Sequence, residues 1–303
     1  MKRFFKKIIK KIPGMYKMYL WINNMFFCGL TVISPVLNTK MRYYLANNKK
    51  LDLKNPKVFS EKLLWLKLNK YMNNPLVIQC ADKYKVREYV ESVGCGDLLN
   101  DLIGVYDRAE YIPWESLPEK FVLKWNFGAG MNIICKNKAD MNKSDVIKQL
   151  KNWGNNKYWL PFSEMQYKYI PKKIVCEKYL SVEKHKTIPD YKVYCFHGKP
   201  LAIFVMHGRG DVISAQFMDT EWNKLENTNK YKGVDFDIPK PACLEKMIES
   251  SEKLSKGFEF VRCDFYIVND RLYFGEMTFT PAGGLCASET RINGKSMGEY
   301  INI

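Results

Sequence analysis

Two apolar runs near the end of the chain, 263–268 and 272–277, are joined by three residues and read as a β-hairpin. With Asn269-Asp270-Arg271 as the turn, position 264 lies opposite 276 and 262 opposite 278. Strand alternation then puts Arg262, Asp264, Glu276 and Thr278 on one face. Two carboxylates facing each other across a ladder repel unless a cation stands between them. Their oxygens are hard ligands that suit Mg²⁺, which takes one or two carboxylates plus phosphate oxygens. The alternative is a charge pair on an exposed face, and a two-residue turn would send the carboxylates to opposite faces. Against a surface pair, both are embedded in strongly apolar strands that run into Pro281-Ala282-Gly283-Gly284.

The rest of the chain mixes helical and strand periods. Asn55-Pro56 is a turn, and Phe59-Ser60-Glu61-Lys62 opens a helix. Asp82 is the expected cap of a helix over 83–93, with Val86, Tyr89, Val90 and Val93 on one face and Gly94 closing it. Strands are expected at 121–125, 133–135 and 174–177, and a helix at 144–153. Residues 191–196 and 201–206 read as a second hairpin over 197–200. Leu244, Met247, Ile248, Ser251 and Leu254 form a helical stripe closed by Gly257. Hairpins mixed with helices predict α+β layering, not a doubly wound parallel sheet.

Two further segments carry chemistry. Lys124 ends a strand and is followed by Gly128-x-Gly130. A loop of small residues lets backbone N–H groups approach phosphate, and a lysine supplies a point charge. A plain hairpin turn explains the same glycines nearly as well. Ile174-Val175-Cys176 ends at Glu177, and a strand end with exposed backbone can read adenine by main-chain hydrogen bonds. His185, His197 and His207 lack metal spacing, and His197 before Gly198 reads as structural. No Ser-His-Asp order, G-x-S-x-G elbow or G-x-G-x-x-G fingerprint occurs.

Charge is concentrated at one end. The 303 residues carry a net charge of +16, yet eleven cations precede the first acidic residue, Asp52, leaving +5 for the rest. A nucleic-acid binder would spread its charge over the fold, so no nucleic-acid partner is expected. Residues 2–12 place Phe4, Phe5, Ile8, Ile9 and Ile12 on one helical face and Lys6, Lys7, Lys10 and Lys11 on the other, with Pro13-Gly14 ending the run. This is the pattern of a helix lying in an anionic membrane surface; the alternative is a solvated helix docked on its own domain. Residues 18–39 carry no charge, but Asn23, Asn24, Gly29 and Pro35 favour an interfacial or core helix over a spanning one. Nine scattered cysteines without C-x-x-C suit neither zinc nor a disulfide framework and agree with a reducing cytoplasm. The basic start is not followed by a small-x-small cleavage site.

In this order the motifs resemble the ATP-grasp superfamily, and in detail its TupA-like branch, found with surface-polysaccharide and teichuronopeptide assembly. The stretches that carry the resemblance span about residues 50–300. They are Asn55-Pro56-Lys57-x-Phe59-Ser60-Glu61-Lys62, Asp82-Lys83-Tyr84-x-Val86-Arg87-Glu88-Tyr89-Val90, Asp190-Tyr191-Lys192-Val193, Phe196-x-Gly198-Lys199-Pro200, and Arg262-x-Asp264-x-Tyr266 with Phe274-Gly275-Glu276-Met277-Thr278-Phe279. Glu177-Lys178-Tyr179-Leu180 is also similar to the hinge of biotin-carboxylase-type members. The resemblance implies an α+β ATP-grasp fold, two lobes clasping ATP, behind a basic N-terminal helical arm. The expected divisions are an arm at 1–50, an N-terminal lobe at 51–118, a small lobe at 119–177 and a large lobe at 178–303.

Roles follow from the resemblance residue by residue. Lys83 and Lys124 would contact ATP phosphates, with the loop Gly128 to Met131, including Gly130, closing over them. Glu177 and the backbone of Lys178 through Leu180 would hold adenine, and Glu183 the ribose. Asp264 and Glu276 would hold Mg²⁺. Lys192, Arg209 and Arg262 would face the γ-phosphate or an acyl phosphate. Many members place Asn two residues after the metal Glu; Thr278 stands here, which puts a second metal in doubt.

The implied reaction is carboxylate activation by ATP, followed by amine attack on the acyl phosphate to give an amide. Such chemistry needs positioning and charge neutralisation rather than a nucleophilic side chain. The implied substrates are a small-molecule or glycan-linked carboxylate plus an amine, handled in the cytoplasm at the inner face of the membrane. The main rival is a glycosyltransferase using a nucleotide-sugar, for which Asp235-Phe236-Asp237 is the one D-x-D. A non-catalytic membrane-surface scaffold is the third reading.

Overall fold

A computed structural model describes residues 13–180, 188–208, 214–226, 238–285 and 290–303. Helix α1 (Pro13–Ile33) begins with a proline in its first turn, where no backbone donor is lost. Pro13-Gly14 therefore stand inside a described helix rather than closing one. Ser34 breaks the run and caps α2 (Pro35–Asn47), accepting from Leu37 N–H at 3.2 Å. Among the described residues no helix is long and apolar enough to cross a membrane.

Helix α3 (Phe59–Leu66) continues as a π turn, Lys67–Tyr71, and α4 (Pro75–Ala81) and α5 (Val86–Ser92) follow. Helix α5 starts later than the sequence predicts. The Asp82 carboxylate spends its cap on Tyr84 and Lys85 N–H groups (2.8 and 3.2 Å), so residues 83–85 form a turn and Val86 is the first helical residue.

Two antiparallel sheets carry the middle of the chain. The first joins β1 (Leu102–Tyr106), β2 (Phe121–Trp125), β3 (Asn132–Cys135) and β4 (Ile174–Lys178) in the order β1-β4-β2-β3. Helices α6 (Lys143–Gly154) and α7 (Trp159–Phe162) lie between β3 and β4. The second sheet contains β5 (Asp190–Phe196), β6 (Lys199–His207), β7 (Ser214–Met218), β8 (Phe260–Val268) and β9 (Arg271–Thr278), ordered β7-β6-β5-β8-β9. Helix α8 (Leu244–Ser255) buries Leu244, Met247 and Leu254 against β5, β6 and β8. The architecture is α+β, as the mixture of periods predicts. The eight described cysteines are free thiols.

The β8–β9 hairpin reaches its register by an unexpected route. Its turn has two residues, Asn269 and Asp270, both at positive φ (50° and 59°), because Val268 already pairs with Arg271. That register alone would set Glu276 beside Cys263, on the face away from Asp264. Between Asp264 and Phe265 the pairing shifts by one, and Gly275 is the extra residue on β9. The bulge returns Glu276 to a position opposite Asp264, and Thr278 to one opposite Arg262. The β5–β6 hairpin uses the same combination, with a two-residue His197-Gly198 turn and a shift between Tyr194 and Cys195. His197 has a structural partner there, since its Nε2 accepts from Asn302 N–H at 3.0 Å.

Gly275 has no room for a side chain. A Cβ there would lie 2.9 Å from the Tyr266 ring and 3.0 Å from the Asp264 carbonyl oxygen. Gly275→Val is expected to lower stability by about 1–3 kcal/mol, seen as a drop in Tm. An unchanged Tm would mean that the bulge does not hold this pairing in place.

Candidate functional site

The register of three strands builds the floor of a site. Lys192 on β5 pairs with Asp264 on β8, which pairs with Glu276 on β9. One rung therefore presents a cation and two carboxylates side by side. The next rung presents Tyr194, Arg262 and Thr278. Asp264 is 3% exposed, and its charge is fully spoken for. Arg262 grips it with two donors, Nε and Nη2, each at 2.6 Å, and Lys192 Nζ adds a third at 3.1 Å. Arg262 also donates to Thr278 Oγ1 at 3.1 Å, and Thr278 donates to Glu276 Oε1 at the same distance.

The first sheet supplies the opposing wall. Lys124 on β2 and Glu177 on β4 share a face and form an ion pair at 2.8 Å, with Arg87 4.0 Å from Glu177. Lys83 lies ahead of α5, where its ammonium contacts the Gly128 carbonyl and stands 3.6 Å from Glu276. Gly128 (φ 68°) needs both its backbone freedom and its missing side chain, because a Cβ would lie 2.6 Å from the Tyr158 ring.

Between the walls is a cavity of about 270 Å³. Lys83, Lys124, Gly128, Gly130, Glu177, Leu180, Lys192, Asp264 and Glu276 all line it. Arg262 and Thr278 support its floor through Asp264 and Glu276. Lys178 does not join them: its ammonium pairs with Asp101 at 3.0 Å. Its backbone is also engaged, N–H to Asp101 O at 3.0 Å and C=O from Asn100 Nδ2 at 2.8 Å. Arg209, Glu183, His185 and the stretch Asp235-Phe236-Asp237 lie outside the described residues.

The charges at the floor bias one another. Burial pushes the Glu276 carboxyl up, but Lys83, Arg262 and Lys192 outweigh it and hold it below its ordinary value. Burial pulls the Lys83 ammonium below its ordinary value, against the attraction of Glu276. Burial also opposes the Arg262 charge, and Asp264 more than compensates. The donor set fits Mg²⁺: two carboxylates on one rung with a hydroxyl beside them. Among the described residues no three His, Cys, Asp or Glu side chains converge, so phosphate and water would complete the shell, as that ion prefers.

One structural residue of the site escapes the motif reading. Asn126 is fully buried directly after β2. Its Nδ2 donates to Asp82 Oδ1 (2.8 Å) and Pro171 O (2.9 Å), and its Oδ1 accepts from Lys173 N–H at 2.8 Å. Its carbonyl accepts from Lys83 N–H at 2.8 Å. Asn126 thus fixes the segment of Lys83 against the strand of Lys124. The available signal is an amide inside the apolar run 121–127, where a polar residue needs partners.

Two outcomes follow. Asn126→Ala leaves the Asp82 carboxylate and two backbone groups short of a partner, and should cost about 2–4 kcal/mol in urea unfolding. Glu276 has a depressed folded pKa, so its pairs add stability above the ordinary carboxylate range. That stability is lost as pH falls through the depressed value. Glu276→Gln should therefore narrow the gap in Tm between neutral and acid solution.

Comparison with known proteins bears on the same segments. No curated protein is similar to the chain. Among solved structures it is similar to D-alanine–D-alanine ligase from Bacillus anthracis complexed with ATP, at 15% identity and a TM-score of 0.41, over 66% of this chain and 55% of that one. The ligase from Helicobacter pylori gives 14% and 0.40, over 75% and 63%. The ADP complex of purK, N5-carboxyaminoimidazole ribonucleotide synthetase, gives 12% and 0.42, over 78% and 52%. The chain covers less than two thirds of each, and likenesses of this size carry no argument about chemistry. The model of the family TupA-like ATPgrasp, by contrast, matches residues 61–302. That stretch holds both sheets, the lysines, the glycine loop and the paired carboxylates, and by this match the chain belongs to the TupA-like ATPgrasp family.

Proposed function

We propose that this chain is an ATP-dependent ligase that joins a carboxylate to an amine through an acyl phosphate. In this reading it serves bacterial surface-polysaccharide assembly, with a small-molecule or glycan-linked carboxylate as substrate. Family membership supports the coarse part, an ATP-using ligase. The observation that carries the finer part is the rung Lys192–Asp264–Glu276 facing Lys83 and Lys124 across one cavity.

The residues divide the work as follows. Lys83 and Lys124 hold phosphate charge, and the Gly128–Met131 turn offers backbone donors beside them. Glu177 and Leu180 line the end of the cavity that would take adenine; Glu183 is the ribose candidate. Asp264 and Glu276 would hold Mg²⁺, with Thr278 at their side. A bound Mg²⁺ would supply charge neutralisation to the triphosphate. Lys192 would face the transferred phosphoryl group, with Arg262 behind the floor, and Arg209 is a further candidate for that role.

Arg262, Lys192 and Lys83 neutralise the two carboxylates. Phosphate oxygens compete for those cations and thereby free the carboxylate edges. Nucleotide and Mg²⁺ should therefore bind together far better than either alone. The basic arm, residues 1–17, would hold the enzyme at the anionic inner face of the cytoplasmic membrane.

The test is thermal unfolding of the full chain with ATP–Mg²⁺, with each component alone, and with UDP-sugars plus Mn²⁺. Saturation at a hundred times Kd adds about 2.7 kcal/mol, a readily seen shift. The expected result is a shift with ATP–Mg²⁺ that disappears in Lys124→Ala and Glu276→Ala. Phosphate release that needs both a carboxylate and an amine would then identify the substrates. A shift with a UDP-sugar alone would overturn the ligase reading.

A further inference from the structure

Helices α1 and α2 meet the rest of the protein along a narrow inner face. Phe27, Thr31, Asn38 and Tyr43 are buried there. Asn38 Nδ2 ties the two helices together by donating to Phe27 O and Thr31 Oγ1, each at 2.7 Å. Thr31 donates to Leu160 O at 2.6 Å, and Arg42 is stacked between the rings of Phe27 and Phe162 (3.8 and 4.0 Å). The pair is thus fastened to α7.

The outer face is apolar and open. Met18, Trp21, Ile22 and Met25 follow one another at helical spacing, and Trp21 is 63% exposed. Val32 and Ile33, at the corner between the helices, are 72% and 77% exposed. Large contiguous apolar surface of this kind marks an interaction site.

The charges nearby select the occupant. No acidic residue precedes Asp52, and Lys2, Arg3, Lys6, Lys7, Lys10, Lys11 and Lys17 lead into or lie on α1. Self-association through this face would bring two all-cationic segments together and be opposed by their repulsion. An anionic lipid surface satisfies both the charge and the apolar stripe. We propose that the outer face of α1 and α2 inserts into the headgroup layer of an anionic bilayer, lying along it. This rests on the reading of the arm as membrane-directed, and adds a folded, apolar contact to it. The α7 segment that holds the pair also touches the site, where Tyr158 packs on Gly128.

The test is sedimentation of the full chain with vesicles of phosphatidylglycerol and phosphatidylcholine, compared with phosphatidylcholine alone. The face variant is Trp21→Glu with Ile22→Glu and Met25→Glu; the arm variant is Lys6→Gln with Lys7→Gln, Lys10→Gln and Lys11→Gln. Wild type should bind the anionic vesicles, and the face variant should bind them at least about a hundredfold more weakly while keeping its Tm and its nucleotide response. Trp21 emission, read as the difference from Trp21→Phe, should shift to the blue on binding. A face variant that binds like wild type overturns the insertion and leaves the arm as sole contact. An arm variant that binds like wild type overturns the charge reading of the arm instead. Failure of wild type to bind vesicles, with a dimer that the face variant dissociates, assigns the face to a second copy and overturns the proposal.

Discussion

A carboxylate buried as deeply as that of Asp264 has to be paired, and the way it is paired organises everything around it. The strand register places Lys192 opposite it on one side and Glu276 on the other. Arg262, two residues back on the same strand, closes on it with a two-pronged grip. Removing Arg262 would leave that buried charge with Lys192 as its remaining cation.

The opposing wall depends on a neutral group. Asn126 sits where β2 ends, and its side-chain amide joins the segments of Asp82 and of Pro171 to Lys173. Lys83 and Lys124 come from distant parts of the chain, and they face one cavity because this amide locks their backbones together. Tyr158 then limits how the glycine loop can settle over them.

Much of this was legible in the sequence. Apolar alternation with embedded carboxylates located the β8–β9 face, and Lys83, Lys124, Gly128, Gly130, Glu177, Leu180 and Lys192, to which the family resemblance draws attention, line one cavity. The route was different, however. A three-residue turn was expected, and a two-residue turn plus a bulge achieves the same facing. Composition signals a turn but does not count its residues, since Asn and Asp suit both lengths. The backbone bonds of Lys178 are not legible in the sequence, because its partners, Asp101 and Asn100, lie far away in it. Asn126 was overlooked because an amide shows its importance only through partners that folding assembles. The late start of α5 has the same origin, because the Asp82 carboxylate answers to Asn126 as well as to its own helix.

The bulge at Gly275 makes the site sensitive to parity. A hairpin can grow or shrink by a whole residue pair without changing which side chains look at each other. A single added or lost residue on one strand exchanges the two sides of everything beyond it. Here the short turn and the extra glycine are two such odd changes that cancel. The tip of the hairpin is therefore free to vary in steps of two, while a lone insertion taken up by the strand, with the glycine and the two-residue turn kept, would carry Glu276 into the apolar layer around Cys263 and leave Asp264 facing a residue without charge.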